Sequence, residues 1–172
     1  SSLCKTVLDA AVKKIEAPFV AILLPLLACS RRGLRQMDLE AITKQMNFDW
    51  NALDFARFTR YLSPYFIWLE DGRLDFSHKS VREGFLMYLG DSNYFHKHII
   101  EHMKQLDEED ILRCQEGIWH CYQCDDFDFA GNLLAQGVHL GEGYSHLERA
   151  LTELNRLDNN GWLLKLCQYD FE

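Results

Sequence analysis

The first 60 residues show apolar positions that recur every three or four residues, which predicts consecutive helices. A first amphipathic helix, with apolar positions as far as Ile15, is expected to end near Ala17. Residues 18–30 are apolar nearly all round, which predicts a buried helix that Pro25 kinks. Gly33 is the expected exit residue, because glycine readily adopts the left-handed conformation that ends many helices.

Two shorter helices are predicted before residue 63. The first spans 34–46 and has Asp38 as its expected N-cap. The second spans roughly 50–62 and has Asp49 or Asn51 as its cap. The inward face expected for the first helix consists of Leu39, Ile42 and Met46. The apolar positions of the second helix are Leu53, Phe55, Phe58 and Leu62.

The periodicity then changes to that of a short β-hairpin. Residues 65–69 are aromatic and β-branched, as strands prefer, and residues 74–76 alternate as a return strand. Asp71-Gly72 between them is a strong hairpin sequence, and Ser77 is the expected cap of the next helix. Helices followed by a hairpin in this order predict a winged helix-turn-helix with a short β-hairpin wing.

Beyond residue 90 the apolar spacing is helical throughout. Helices of this length with short links are typical of stacked antiparallel pairs. The predicted fold is therefore mainly α, with a winged-helix domain and a leading helix over 1–90 and a helical-repeat-like domain over 91–172. The second domain is expected to be the TPR-like start of an α-solenoid. Its predicted helices cover roughly 92–105, 107–121, 126–136, 143–156 and 160–168.

Charge is distributed unevenly between these two parts. The chain of 172 residues carries a net charge of −8, whereas residues 1–90 carry +2 and residues 91–172 carry −10. An acidic protein is a poor default partner for nucleic acid, so nucleic-acid binding is disfavoured. The acidic half is instead expected to face solvent or protein partners.

Composition also indicates the compartment. The longest apolar run has 13 residues, fewer than the roughly 20 that a bilayer span needs, so no membrane partner is expected. Six cysteines show no regular disulfide spacing, which favours reduced thiols and a cytoplasmic location. The start of the chain has no methionine and no signal-peptide pattern, so we expect a piece of a longer protein.

Two clusters contain metal-ligand residue types, and both are interpreted without a metal. His120, Cys121 and Cys124 lie close together, but no second Cys or His pair follows at zinc-finger spacing, so packing roles are expected. The second cluster lacks the H-E-x-x-H arrangement and is expected on the solvated face of an amphipathic helix. Its histidines are His96, His98 and His102.

The predicted helix 50–62 offers one route to DNA. Arg57 and Arg60 on this helix could contact phosphates and base edges. Asp49 and Asp54 lie at its start, where base contacts are usually made, and Asp54 would repel phosphate. A winged-helix DNA-binding transcription regulator with a helical ligand or dimerisation domain is the alternative. A plain scaffold whose acidic half docks a basic partner is a third hypothesis.

Three segments together resemble one known family. Residues 26–34 (LLACSRRGL) are similar to the family's L-L-A-x-S-R-x-G-L segment. Residues 72–83 (GRLDFSHKSVRE) resemble its G-x-L-x-F-x-H-x-x-L-R-E segment, and residues 119–128 (WHCYQCDDFD) resemble its Y-H-L-x-x-A-G-D-x-x segment. These segments lie in the winged helix and helical region that follow the ATPase core of STAND NTPases of the NACHT group. The likeness covers roughly residues 5–136.

The resemblance implies a non-catalytic regulatory module. In the family the winged helix packs on the upstream nucleotide-binding core and helps to hold the ADP-bound, closed state, and sensor repeats follow downstream. The family's histidine at the β-phosphate of ADP matches His78. Several relatives carry an acid after this histidine, whereas this chain has Lys79, so a histidine satisfied within its own turn is the alternative. The chain has no phosphate-binding loop, so we expect no enzyme activity from it, and ADP or ATP is implied only for the full-length protein.

Overall fold

The computed structural model describes Thr6 and residues 17–137, 142–158 and 161–169. These residues are mainly helical and include one small antiparallel sheet. Contacts divide the chain into two units, Ser1–His98 (unit 1) and Ile99–Glu172 (unit 2). It stays a prediction that residues 1–90 form a winged-helix domain and that residues 91–172 form a helical-repeat-like domain. The first predicted helix lies outside the described residues apart from Thr6.

Apart from one additional short strand at Leu34–Arg35, the helices and strands follow the predicted order, with most ends shifted by a few residues. The helices are α1 (Ala17–Cys29), α2 (Gln36–Gln45), α3 (Ala52–Tyr61), α4 (Lys79–Leu89), α5 (Asn93–Met103), α6 (Ile111–Cys124), α7 (Phe127–Gly137), α8 (Glu142–Asp158) and α9 (Gly161–Gln168). The strands are β1 (Leu34–Arg35), β2 (Phe66–Trp68) and β3 (Arg73–Phe76), and a 3-10 turn lies at Ser63–Tyr65. No helix in the described ranges is both long enough and apolar enough to cross a membrane.

The predicted hairpin is confirmed. β2 and β3 pair antiparallel, with Phe66 opposite Phe76 and Trp68 opposite Leu74. Gly72 in the connecting turn has φ +80°, a conformation that glycine adopts without steric cost.

Strand β1 corrects the prediction that a helix begins at residue 34. Leu34 and Arg35 pair instead with Leu74 and Arg73, which makes β3 the central strand in the order β1-β3-β2. The partner strand lies far away in the sequence, so local periodicity does not reveal the pairing. Gly33, with φ +78°, precedes β1, and a Cβ at this position would collide with the Leu74 carbonyl.

Two predicted N-caps are wrong, and the choice between Asp49 and Asn51 as the N-cap of α3 is resolved. Asp38 lies inside the first turn of α2, where its carboxylate accepts the backbone N–H of Arg35 at 3.0 Å, and Arg35 is the N-cap. Ser77 does not cap α4, since His78 occupies the N-cap position. Asn51 caps α3 by accepting two backbone N–H groups of the first turn.

Helix α6 begins later than the predicted 107. Asp110 is its N-cap, and the Asp110 carboxylate accepts the backbone N–H of Leu112 at 2.9 Å. The acidic residues before Asp110 therefore precede the helix instead of forming its first turn.

A line of phenylalanines forms the core of unit 1. The ring centroids of Phe58 and Phe66 are 5.5 Å apart, those of Phe66 and Phe76 are 4.8 Å apart, and those of Phe76 and Phe85 are 5.6 Å apart. Phe19 extends this line to α1, since its ring lies 6.3 Å from that of Phe58. All five side chains are buried, so α1, α3, the sheet and α4 share one aromatic core.

The core of unit 2 lies between α6 and the helices that follow it. Gly117 of α6 lies directly against the Leu133 side chain of α7, which allows these two helices to approach closely. Trp162 brings in α9, because its buried ring stacks on Phe127 at 5.5 Å and its indole N–H donates to Asp125 at 3.0 Å.

Candidate functional site

His78 lies at the junction between β3 and α4, with its side chain exposed to solvent. The imidazole makes no capping hydrogen bond, whereas the His78 carbonyl accepts the backbone N–H groups of Val81 and Arg82 at 3.1 and 3.4 Å. Ser77 is turned away from the helix, because its hydroxyl donates to the Pro64 carbonyl at 3.4 Å. The backbone of His78 therefore starts the helix while its ring remains accessible.

Arg82 braces this junction from inside the first turns of α4. Its guanidinium donates to the Arg31 carbonyl at 2.7 Å and forms an ion pair with the Asp75 carboxylate. The same guanidinium lies 5.8 Å from the centre of the Phe76 ring. One half-buried side chain thus joins the loop after α1, strand β3 and α4, and it fixes the position from which His78 projects.

The start of α4 suits an anion. The first N–H groups of a helix have no partner within the helix, and the helix dipole favours negative charge there. Lys79 adds an exposed ammonium, which lies 3.4 Å from the Glu83 carboxylate. Because this pair is largely solvated, it contributes little to stability and leaves the ammonium accessible.

The exposed face of α3 differs from the sequence-based expectation in one respect. Asp54 is buried, with 7% of its surface exposed, and its carboxylate accepts from Arg57 at 3.3 Å. The predicted repulsion of phosphate by Asp54 is therefore reduced, because the side chain is shielded and its charge is partly balanced. Leu53, Arg57 and Arg60 of the same helix are exposed.

The histidines of α5 are not all on a solvated face, which corrects the prediction. His96 and His102 are 3% and 5% exposed, while His98 is half-buried with its ring 4.6 Å from that of Tyr94. His96 precedes the buried Ile99 by one helical turn and lies on the same face. The helical spacing of His96 thus places this polar side chain on the buried face, among apolar residues.

His120 and Cys121 are fully buried in α6, in agreement with a packing role. His120 Nε2 lies 3.3 Å from a carboxylate oxygen of Glu116, and Cys124 donates its thiol hydrogen to the His120 carbonyl at 3.2 Å. Burial raises the pKa of the Cys121 thiol, which disfavours the thiolate that a metal would need. Within the described residues, no group of three or more His, Cys, Asp or Glu side chains could hold a metal ion.

Arg113 is a buried polar centre of unit 2 that the sequence did not indicate. Its guanidinium donates to the carbonyls of Met103 and Leu106 at 3.4 and 2.9 Å, and to the Gln136 amide oxygen at 2.6 Å. The amide nitrogen of Gln136 in turn donates to Glu108 at 3.0 Å. This chain of contacts holds the end of α5, the acidic loop and α7 together, which is a structural role.

A leucine-lined groove of about 490 Å³ lies on the surface of unit 2 between α7, α8 and α9. Glu148, Thr152 and Asn155 of α8 form its polar edge. Its apolar lining consists of Leu134, Leu147, Leu151 and Leu163. Helical spacing predicts the helices but not this groove, because the groove depends on how three helices meet.

Comparisons with profiles of known protein families, with curated proteins and with solved structures found no match to this chain.

Proposed function

We propose that this chain is a non-catalytic regulatory module of a STAND NTPase, with a winged helix over 1–90 and TPR-like helical pairs over 91–172. The observation that carries the proposal is the exposed His78 ring at the start of α4, at a junction that Arg82 ties to strand β3 and to the loop after α1. Three helices, a hairpin and a further helix, in this order, support the winged helix.

The proposed mechanism couples nucleotide state to conformation. His78 donates a ring N–H to a β-phosphate oxygen of ADP bound to an upstream nucleotide-binding core, and the N-terminus of α4 favours the phosphate charge. This contact stabilises the closed, ADP-bound state more than an open state, and such a difference is what shifts a two-state equilibrium. In this proposal the cofactor is ADP or ATP, which the upstream core binds, and the protein is cytoplasmic.

The second half has a different role in this proposal. Its net charge of −10 favours protein partners with basic surfaces and favours docking to downstream sensor repeats of the same protein. Signals from the repeats reach the nucleotide through the winged helix.

ADP retention by the full-length protein tests the role of His78. We expect His78→Ala to weaken ADP binding about tenfold, since a hydrogen bond to a charged phosphate contributes roughly 1.5 kcal/mol. His98→Ala is the matched control, because His98 is a half-buried histidine of the same unit, and it should retain ADP like the parent. Equal ADP retention by His78→Ala and the parent would remove His78 from the mechanism.

A winged-helix DNA-binding regulator is the second candidate, and the burial of Asp54 against Arg57 favours it. It predicts that this chain binds duplex DNA at low salt, that added salt weakens the binding, and that Arg60→Ala weakens it further. Fluorescence anisotropy with a labelled duplex measures this affinity. Absence of binding at low salt eliminates the candidate.

A further inference from the structure

The exposed surface of α8 carries a charge pattern that is complementary to itself. Glu148, Thr152 and Arg156 are spaced four residues apart, so they form one row along the helix, and all three are exposed. The acid and the base lie at equal distances on either side of Thr152. A rotation of this row by a half turn about an axis through Thr152 places the base at the former position of the acid.

The leucine-lined groove lies directly beside this row. Leu151 and Leu147 of α8 form one wall, and Leu134 and Leu163 come from the neighbouring helices. Three of these leucines are only half-buried, so apolar surface remains that a partner would remove from water. Glu148 and Thr152 belong both to the groove edge and to the charged row, so one partner would cover both features.

We propose that α8 mediates a two-fold symmetric dimer, in which the occupant of this surface is a second copy of the chain. In a symmetric interface the same patch meets itself, so Glu148 of one copy pairs with Arg156 of the other, and the reverse pair forms as well. Rows with four-residue spacing interdigitate when two helices cross at about 50°, which is the commonest packing class. Thr152 then lies near the symmetry axis, where a small side chain allows close approach.

The two kinds of contact make different contributions. Burial of the half-exposed leucines supplies most of the affinity, because solvent-exposed ion pairs contribute little by themselves. The two Glu148–Arg156 pairs set the antiparallel orientation and disfavour other arrangements, since a parallel arrangement would oppose like charges.

Charge exchange on α8 tests the dimer without disturbing the core. Sedimentation velocity over a concentration series of the intact chain should show a monomer–dimer equilibrium. Glu148→Arg alone and Arg156→Glu alone should each weaken dimerisation about tenfold or more, because each opposes like charges twice in the symmetric interface. The double variant Glu148→Arg/Arg156→Glu restores both pairs and should recover the parent affinity.

Arg60→Glu on α3 is the control, since it makes the same charge change at an exposed site in unit 1 and should leave dimerisation unchanged. Circular dichroism checks that each variant is folded. A chain that stays monomeric up to millimolar concentration overturns the proposal and leaves the groove to a different partner. A double variant that is as weak as the single variants also overturns it. Neither result bears on the nucleotide contact of His78.

Discussion

The buried Arg113 of unit 2 finds its partners in a different way from two buried charges of unit 1. In unit 1 the fully buried Asp38 pairs with Arg35, three residues earlier, and the buried Arg73 pairs with Asp71, two residues earlier. In unit 2 the buried Arg113 donates to a glutamine 23 residues away and to two carbonyls before α6. Asp38 and Arg73 therefore each have a charged partner within three residues, whereas the partners of Arg113 come from segments that only the assembled helices bring together.

The units also differ in the kind of atom that lies closest to a tightly packed glycine. In unit 1 the backbone at Gly33 lies against the backbone of β3, while in unit 2 Gly117 lies against the end of a leucine side chain. Backbone cannot move without breaking sheet hydrogen bonds, but a leucine can change rotamer. We therefore expect unit 1 to be sensitive to backbone changes and unit 2 to be sensitive to loss of polar partners.

The largest expected effect follows from Gly33→Ala. The new Cβ would meet the Leu74 carbonyl, and the positive φ adds strain, so we expect a loss of about 3 kcal/mol or more in the free energy of unfolding. Gly117→Ala is the comparison in unit 2, where the gain in helix propensity offsets the movement of Leu133, and its effect should stay within about 1 kcal/mol. Urea denaturation measures both, and equal effects would contradict the distinction.

Arg113→Ala in unit 2 is also expected to lower the free energy of unfolding. It leaves two carbonyls and a glutamine without their donor in a buried site, which should cost about 2–3 kcal/mol. Arg73→Ala in unit 1 should cost about 1 kcal/mol, because its partner Asp71 is exposed enough to be hydrated. Amide hydrogen exchange should locate each loss of protection in its own unit, and the opposite ranking would refute the comparison.

The smallest expected effect is a pH dependence of unit 1. The side-chain hydrogen bond from Arg73 holds the pKa of Asp71 below its ordinary value of 3.8. Since the folded-state pKa is the lower one, this pair stabilises the fold above pH 3.8 and the stabilisation is lost as the pH falls through the folded pKa. Asp71→Asn should abolish this contribution, which is below about 1 kcal/mol for such an exposed pair. Thermal unfolding of both forms between pH 2 and 6 provides the measurement.

Unit 2 provides the contrasting case on the alkaline side. Burial would lower the pKa of Lys104, but hydrogen bonds to Glu101 and Asp126 outweigh it and raise the pKa above its ordinary value of 10.5. Stabilisation by this group is therefore present below pH 10.5 and is lost as the pH rises through the folded pKa.

Local features of the fold could be predicted from the sequence, and non-local ones could not. The hairpin follows from Asp71-Gly72, because a two-residue turn signal acts within its own segment. Strand β1 was missed because its partner lies 40 residues away, and its two residues also fit a helical pattern. The polar side chain of His96 favoured a solvent-exposed position, but its spacing from Ile99 places it on the buried face of the helix.

The candidate site shows the same limit. The position of His78 at the helix start follows from the hairpin and the next helix, both of which are visible in the sequence. Its bracing by Arg82 is not visible, because the Arg31 carbonyl that Arg82 contacts lies 51 residues away. The groove beside α8 is likewise absent from the pattern, since residues of three helices form it.

The most direct test of the proposed regulatory role is the affinity of this chain for the proposed upstream nucleotide-binding region, supplied separately with ADP or with ATP. The account predicts tighter binding to the ADP-bound region, by about tenfold, and predicts that His78→Ala abolishes this difference. Isothermal titration calorimetry gives both affinities. Equal affinity for the two nucleotide states, or a difference that His78→Ala leaves unchanged, would contradict the account.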